Sequence, residues 1–391
     1  MFTQRQVSGN KGKFFSAPHT FFLVVLFAGL ALRFAGTPIV SADMKWFLLP
    51  WFSQIEPEGF GSLAHQVGNY GLLYQTLIAL LTYIPLPAVF LYKFVSVVFD
   101  VALAFSAALI ARRVTGTGWR EKPARMAFLA IMFLPPFVIN SGWWGQCDSM
   151  YSLAALWALY FLYERRYPAT GVALGFAFAL KLQTIFIMPL VVTVYVLRRR
   201  WPFPELIYAA GVFWGTGGLA YAFGRSLLAP LTIYAGQTGD FPKMVVNAPS
   251  FWYFFPDNFA LLAKPAVVVC AAILAIGFFA IILKKISIDS WQQYLATSAW
   301  MIWTCFLFLP AMHERYSYLL QVVLILLAVA FRGYWPYLAV ETAVTCVTYA
   351  KFFHLGPGVV APLVVAELAT WATFTSLIVH RAHLNSLIAD K

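Results

Sequence analysis

"TFFLVVLFAGLALRFAGTPIV", residues 20–40, decides the fold. It is a run of about twenty residues carrying one charge, and a helix of that length, rising 1.5 Å per residue, crosses the roughly 30 Å hydrocarbon layer of a bilayer. A second run, "LATSAWMIWTCFLFLPAM" from Leu295, repeats the pattern. The whole chain agrees with them: of 391 residues, 61% are hydrophobic, 18% aromatic and only 11% charged, whereas soluble domains carry about 25% charged residues. Mean hydropathy is +0.76. No series of short segments of alternating polarity suggests a β-barrel. The chain reads as an all-α polytopic membrane protein, one integral membrane domain over 1–391.

A net charge of +12 would suit nucleic acid if it formed a stripe. Here the basic residues sit at the ends of apolar segments, so no nucleic-acid partner is expected and the charges report sidedness. Short loops rich in Lys and Arg stay cytoplasmic. With Arg5, Lys11 and Lys13 inside, the pattern predicts about twelve spans, at 20–40, 88–111, 124–141, 149–163, 168–180, 184–197, 205–224, 262–283, 292–311, 317–331, 334–350 and 359–379. The inner loops then hold Arg112, Arg113, Arg120, Lys122 and Arg125; Arg165 and Arg166; Arg198, Arg199 and Arg200; Lys284 and Lys285; Arg332; and Arg381 with Lys391. Residues 1–19 form a cytoplasmic segment. The apolar run after them is longer than a signal-peptide core and lacks a small-residue cleavage site, which predicts a retained first span. Counting "YGLLYQTLIALLTYIPLP" (70–87) as a span would move the Arg112–Arg125 cluster outside. We therefore read 41–87 as a first outer loop with amphipathic helices on the interface, anchored by Trp46, Trp51, Tyr70, Tyr74 and Tyr83. Residues 225–261 form a later outer loop. Cys147, Cys270, Cys305 and Cys346 show neither a disulfide framework nor metal-knuckle spacing.

The residues able to do chemistry fall on the outer side of this map. Asp43 follows the first span, where a carboxylate can take a proton from a bound hydroxyl. Lys45, two residues on, could hold it ionised. In "NSGWWGQCDSMY" (140–151), Trp143 and Trp144 offer flat faces that could stack on sugar rings, and Gln146 and Asp148 can bind hydroxyls; an interfacial tryptophan belt with a helix cap is the plainer alternative. In "MHERYSY" (312–318), Arg315 can grip a phosphate, with His313 and Tyr316 adding hydrogen bonds, and Glu314 joins the candidates for sugar or acceptor. An aromatic and arginine anchor is the alternative there. Lys181 and Lys351 are further candidates for the anion, and Lys93 and Asp100 are placed to pair on one helix face.

Taken together, the acid after the first span, the long amphipathic outer loop, "WGQCDS" (144–149), "KLQ" (181–183) and "HERY" (313–316) resemble the GT-C superfamily of membrane glycosyltransferases. The likeness is to the bacterial mannosyltransferase-like group related to GPI-anchor mannosyltransferases, and it covers most of residues 20–320. The chain departs from that pattern at Leu182, where a proline often follows the lysine, and in having two adjacent tryptophans. The resemblance implies a GT-C-like fold in the plasma (inner) membrane, both termini cytoplasmic, with the active site on the outer face. The donor would be a polyprenyl-phosphate-linked mannose or similar hexose, the acceptor a hydroxyl of a glycan, lipid or protein. Transfer would be by inversion, Asp43 acting as base and Arg315 holding the donor phosphate. No cofactor is firmly implied; some relatives use a divalent cation (Mg or Mn) and others do not. The rivals are a polysaccharide polymerase or ligase, which calls for a larger late outer loop, and a lipid-linked sugar transporter, which calls for charges deep in a central cavity. The catalytic reading requires Asp43 and Arg315 to meet in space.

Overall fold

The computed structural model describes residues 17–353 and 355–389; Arg5, Lys11 and Lys13 of the N-terminal segment, and Lys391, lie outside them. The chain is nearly all helix. Its first half contains α1 Ala17–Ala35, α2 Leu49–Ile55, α3 Leu72–Leu81, α4 Ala88–Thr115, α5 Lys122–Phe133, α6 Pro135–Val138, α7 Asp148–Tyr163, α8 Tyr167–Leu180 and α9 Met188–Leu197. The second half adds α10 Phe203–Gly215, α11 Gly218–Ala222, α12 Ala229–Asp240, α13 Phe259–Ile282, α14 Trp291–Phe308, α15 Tyr318–Ala330, α16 Trp335–Ala350 and α17 Ala361–Ala389. Two short strands, β1 Val245–Val246 and β2 Met312–His313, pair in parallel.

Among the described residues, three helices are individually long and apolar enough to cross a membrane: α4, α13 and the Ala361–Arg381 part of α17. Helix α5 and the segment Pro135–Trp144 make a fourth if a pair bent by 51° counts as one crossing. The other apolar helices are shorter, and the sequence says why. The segment expected as one helix over 205–224 divides into α10 and α11 at Gly215-Thr216-Gly217-Gly218, where glycine's backbone freedom disfavours helix. Helix α9 is preceded by a 3-10 turn, Leu182–Ile187. Helix α3 has 10 residues, about 15 Å of rise, half of what a crossing needs.

The core is built around α14 and α15. Every residue from Tyr318 to Ala328 is buried, as is every residue from Tyr294 to Phe308; helices apolar on all sides belong inside. Fully buried Ala104, Ala107, Ala108 and Ala111 of α4 join Ala124 and Ala127 of α5 in that core, small side chains that let helix backbones approach closely. A second cluster, with Met44, Phe52, Leu63, Tyr74, Ile78 and Tyr92, seats α2 and α3 on the first turns of α4. Helices α13 and α17 sit at the rim, with Ile276, Phe279 and Val365 exposed.

One buried ion pair holds the bend after α5. Pro135 and Pro136 have no N–H, so the carbonyls of Ile131 and Met132 lose their helical donors. Arg33 of α1 replaces them, donating from Nη2 to Ile131 O (2.9 Å) and from Nη1 to Met132 O (2.8 Å). Its Nε donates to Asp100 Oδ2 at 2.7 Å. Asp100 also accepts from Ser141 Oγ (2.5 Å) and Tyr318 OH (3.1 Å). The expected Lys93–Asp100 pair is therefore not formed: Asp100 belongs to Arg33.

Candidate active site

Asp43 is positioned by the way α1 stops. Gly36, Thr37 and Pro38 end the helix, and Lys93 of α4 caps it, its Nζ donating to the carbonyls of Gly36 (2.6 Å) and Ile39 (2.5 Å). Ser41 Oγ donates to Trp144 O and accepts from Met44 N–H, both at 3.1 Å. Asp43 is thus held on both sides in sequence. Lys45, expected beside it, is exposed and its amine lies 5.1 Å over the ring of Trp46 instead.

The partners of Asp43 come from the turn beyond α6. Residues Ile139–Trp144 form a π-helical turn, and Gly145, at φ +80°, reverses the chain where a Cβ would meet Met44 Cε at 2.5 Å. That turn delivers Trp144 Nε1 (3.1 Å) and Gln146 Nε2 (2.7 Å) to one oxygen, Asp43 Oδ2. Arg315 Nη2 stands 4.0 Å from the same atom, too far for a hydrogen bond but close enough for charge attraction. Oδ1 has no partner among the described residues.

Arg315 is carried by a short extended stretch between α14 and α15. Met312 and His313 pair with Val245 and Val246, and Glu314–Ser317 then form a 3-10 turn. The Arg315 side chain is 12% exposed, and its buried Nε and Nη1 meet no hydrogen-bonding group of the protein. Both oxygens of Glu314 are in the same condition. Burial pushes the Glu314 carboxyl up to about 8, against the pull of the Arg315 charge and helped by Asp43, so it carries a proton at neutral pH. Burial, then the charges of Arg315 and Lys181, hold His313 well below the usual imidazole value. It is a neutral hydrogen-bonding ring here rather than a cation. Tyr316 is raised to about 12 by burial despite Arg315.

A third group lines the start of α7. Buried Lys181, extended between α8 and the following 3-10 turn, forms an ion pair with Asp148 Oδ1. Asp148 Oδ2 accepts from Asn140 Nδ2 at 2.8 Å. The Lys181 amine also faces the rings of Tyr151 (5.7 Å) and Tyr316 (5.8 Å), which ties this group to the arginine turn. Asn140 Oδ1, Tyr151 OH and Gln183 Oε1 are buried without partners in the protein. Buried polar atoms are almost always paired, so such a concentration marks a place for a polar ligand or water.

The structure thus brings together Asp43, Trp144, Gln146, Asp148, Lys181, His313, Glu314, Arg315 and Tyr316. Four expectations change. Trp144 is fully buried against Phe352 (4.5 Å) and Tyr349 (5.1 Å), so it offers no sugar platform and instead aims Asp43. Trp143 turns away, donating to Leu32 O at 3.0 Å and packing on Gly36. Lys351 is exposed and makes no ion pair with the cluster; Lys181 is committed to Asp148. Sequence reasoning missed Asn140 and the second role of Tyr70, whose hydroxyl lies 3.5 Å from Gln146 Oε1; its aromatic, interfacial setting looked like an anchor alone. Among the described residues no three His, Cys, Asp or Glu side chains gather to hold a metal, and Asp148 is paired with Lys181. No disulfide joins Cys147, Cys270, Cys305 or Cys346. No protein-family model and no curated protein sequence matches the chain.

Proposed function

We propose that this chain is a membrane glycosyltransferase with about twelve crossings, in which a hexose passes from a polyprenyl-phosphate donor to a hydroxyl acceptor at the outer face of the plasma membrane. One observation carries the reading: Asp43 and Arg315, from distant parts of the chain, come within 4.0 Å of each other amid buried polar atoms that the protein itself leaves unpaired. An acid with one anchored oxygen and one available, beside an arginine with unmet donors, suits a proton acceptor paired with an anion holder.

The chemistry follows. The acceptor hydroxyl gives its proton to Asp43 Oδ1 while its oxygen attacks the anomeric carbon. The bond from that carbon to the phosphate oxygen breaks, and its electron pair leaves on the phosphate, whose charge grows by one. Arg315 meets that growing charge, so its attraction is stronger in the transition state than before it. Trp144 and Gln146 fix the aim of Asp43, and attack opposite the leaving group inverts the sugar. The proton on Asp43 then passes to water.

The test is transfer by purified protein from a panel of prenyl-phosphate sugars. Asp43→Asn is expected to lower kcat by at least about 100-fold, the usual share of a positioned base, and Arg315→Ala by a similar factor, with unfolding temperature nearly unchanged for Asp43→Asn. Full activity in the asparagine variant removes the base assignment. Products lengthened by many sugars from one acceptor would instead favour a polymerase.

A further inference from the structure

At the far end of α7 from Asp148, about 25 Å away by helical rise, three helices stop together. Helices α7, α9 and α13 end in the same way: Arg166 N–H returns to Phe161 O (2.8 Å), Arg200 N–H to Tyr195 O (3.1 Å) and Lys285 N–H to Ala280 O (2.8 Å). The residue before each donor is left-handed: Arg165 at φ 58°, Arg199 at 48° and Lys284 at 58°. Glycine is the least strained choice at this position of a helix end. This chain puts a basic residue at all three.

Those three residues, with Arg198 and Arg200, line one cavity of about 1300 Å³. Arg198 is committed to the carbonyls of Leu162 and Tyr163 and to Tyr167 OH, and Arg200 to Glu205 at 2.7 Å. Arg165, Arg199 and Lys284 have no side-chain partner among the described residues. The one acid on the wall, Asp289, is engaged by Ser287 Oγ at 2.6 Å. Beside this cavity, and sharing Arg199, Arg200 and Trp201 with it, runs an apolar groove of about 510 Å³ lined by Leu174, Val192, Val196 and Leu206. Trp201 at the junction is 86% exposed. Cations at helix C-termini satisfy the helix dipole, but a dipole has no use for an adjoining alkyl slot or for avoiding glycine.

We infer that this end of the protein holds an anionic glycerophospholipid, its phosphate among Arg165, Arg199 and Lys284 and one acyl chain in the groove between α8, α9 and α10. The site is separate from Asp43 and the inference stands without the catalytic reading. Basic recesses between membrane helices are suited to such headgroups.

The experiment compares thermal unfolding and native mass spectra of the full chain with phosphatidylglycerol, phosphatidylcholine and soluble glycerol phosphate. Phosphatidylglycerol should be retained and raise the unfolding temperature by several degrees; phosphatidylcholine and glycerol phosphate should not. The triple variant Arg165→Gly, Lys284→Gly, Arg199→Gly relieves strain, so without lipid it should unfold no earlier than the parent, yet bind phosphatidylglycerol at least tenfold more weakly. Val196→Trp, which fills the groove, should weaken it too. Equal binding of both phospholipids, undiminished binding by either variant, or a full shift from glycerol phosphate alone overturns the proposal.

Discussion

Glu314 is a carboxyl whose behaviour departs from its type. A carboxyl that keeps its proton to about pH 8 when folded, against about 4.3 when unfolded, binds protons more tightly in the native state. Stability then falls as pH rises through the interval between those values, by about 1.4 kcal/mol per pH unit. His313 works the opposite way, but only below its ordinary value of 6.5, so between 6.5 and 8 the difference between the parent and Glu314→Gln reports Glu314. Apparent unfolding temperature in detergent should decline across that interval, and Glu314→Gln should flatten the decline; an unchanged slope in the variant would show that Glu314 is ionised. At this scale residue type and distance to a span end singled out Asp43 and Arg315, which the structure brings within 4.0 Å of each other. It was silent on ring direction. Trp143 and Trp144 are neighbours, yet the π-turn sends one to α1 and the other to Asp43, and nothing in the letters distinguishes them.

The bend after α5 is the element on which the site turns, since it leads to the segment carrying Trp144 and Gln146. Arg33→Met should strand Asp100 in the interior and leave the carbonyls of Ile131 and Met132 unpaired, at a cost of about 3–5 kcal/mol. Arg33→Met combined with Asp100→Asn should recover part of that loss, because the uncompensated charge is gone. A single variant as stable as the parent in denaturant titration would mean that the pair does not brace the bend. The span expected over 124–141 was read as unbroken although Pro135 and Pro136 stand inside it, and the arginine that repairs the bend was not readable, because α1 and α5 are joined only through tertiary packing. The same reason misassigned Asp100 to Lys93. Both lie on one face of α4, as their spacing requires, but each turns to a different neighbour.

For the molecule as a whole, sidedness can be measured. Three of the four cysteines are buried and Cys346 is partly so, so a Cys346→Ala background should be nearly unreactive. In that background, exposed Glu58→Cys should react with a membrane-impermeant thiol reagent in intact cells, whereas exposed Lys285→Cys should react only after permeabilisation. The reverse result would turn the protein over in the membrane and move the Asp43 end to the cytoplasm. Helical membrane character was legible from composition because hydropathy is a bulk property. Helix breaks were not read from it: the spans expected over 124–141 and 205–224 run through the breaks at Pro135-Pro136 and Gly215–Gly218, and the short strand pair was not legible at all. That pair has a mechanical consequence. The backbone of Val245–Asn247 is hydrogen-bonded to Met312 and His313, while the Asn247 side chain reaches Thr348 O (3.0 Å) and Val359 N–H (2.9 Å). The strip is a buckle joining three connections that are far apart along the polypeptide. A tug on any one strap, from a docking partner or a cut in the connection, is felt one residue away from Glu314.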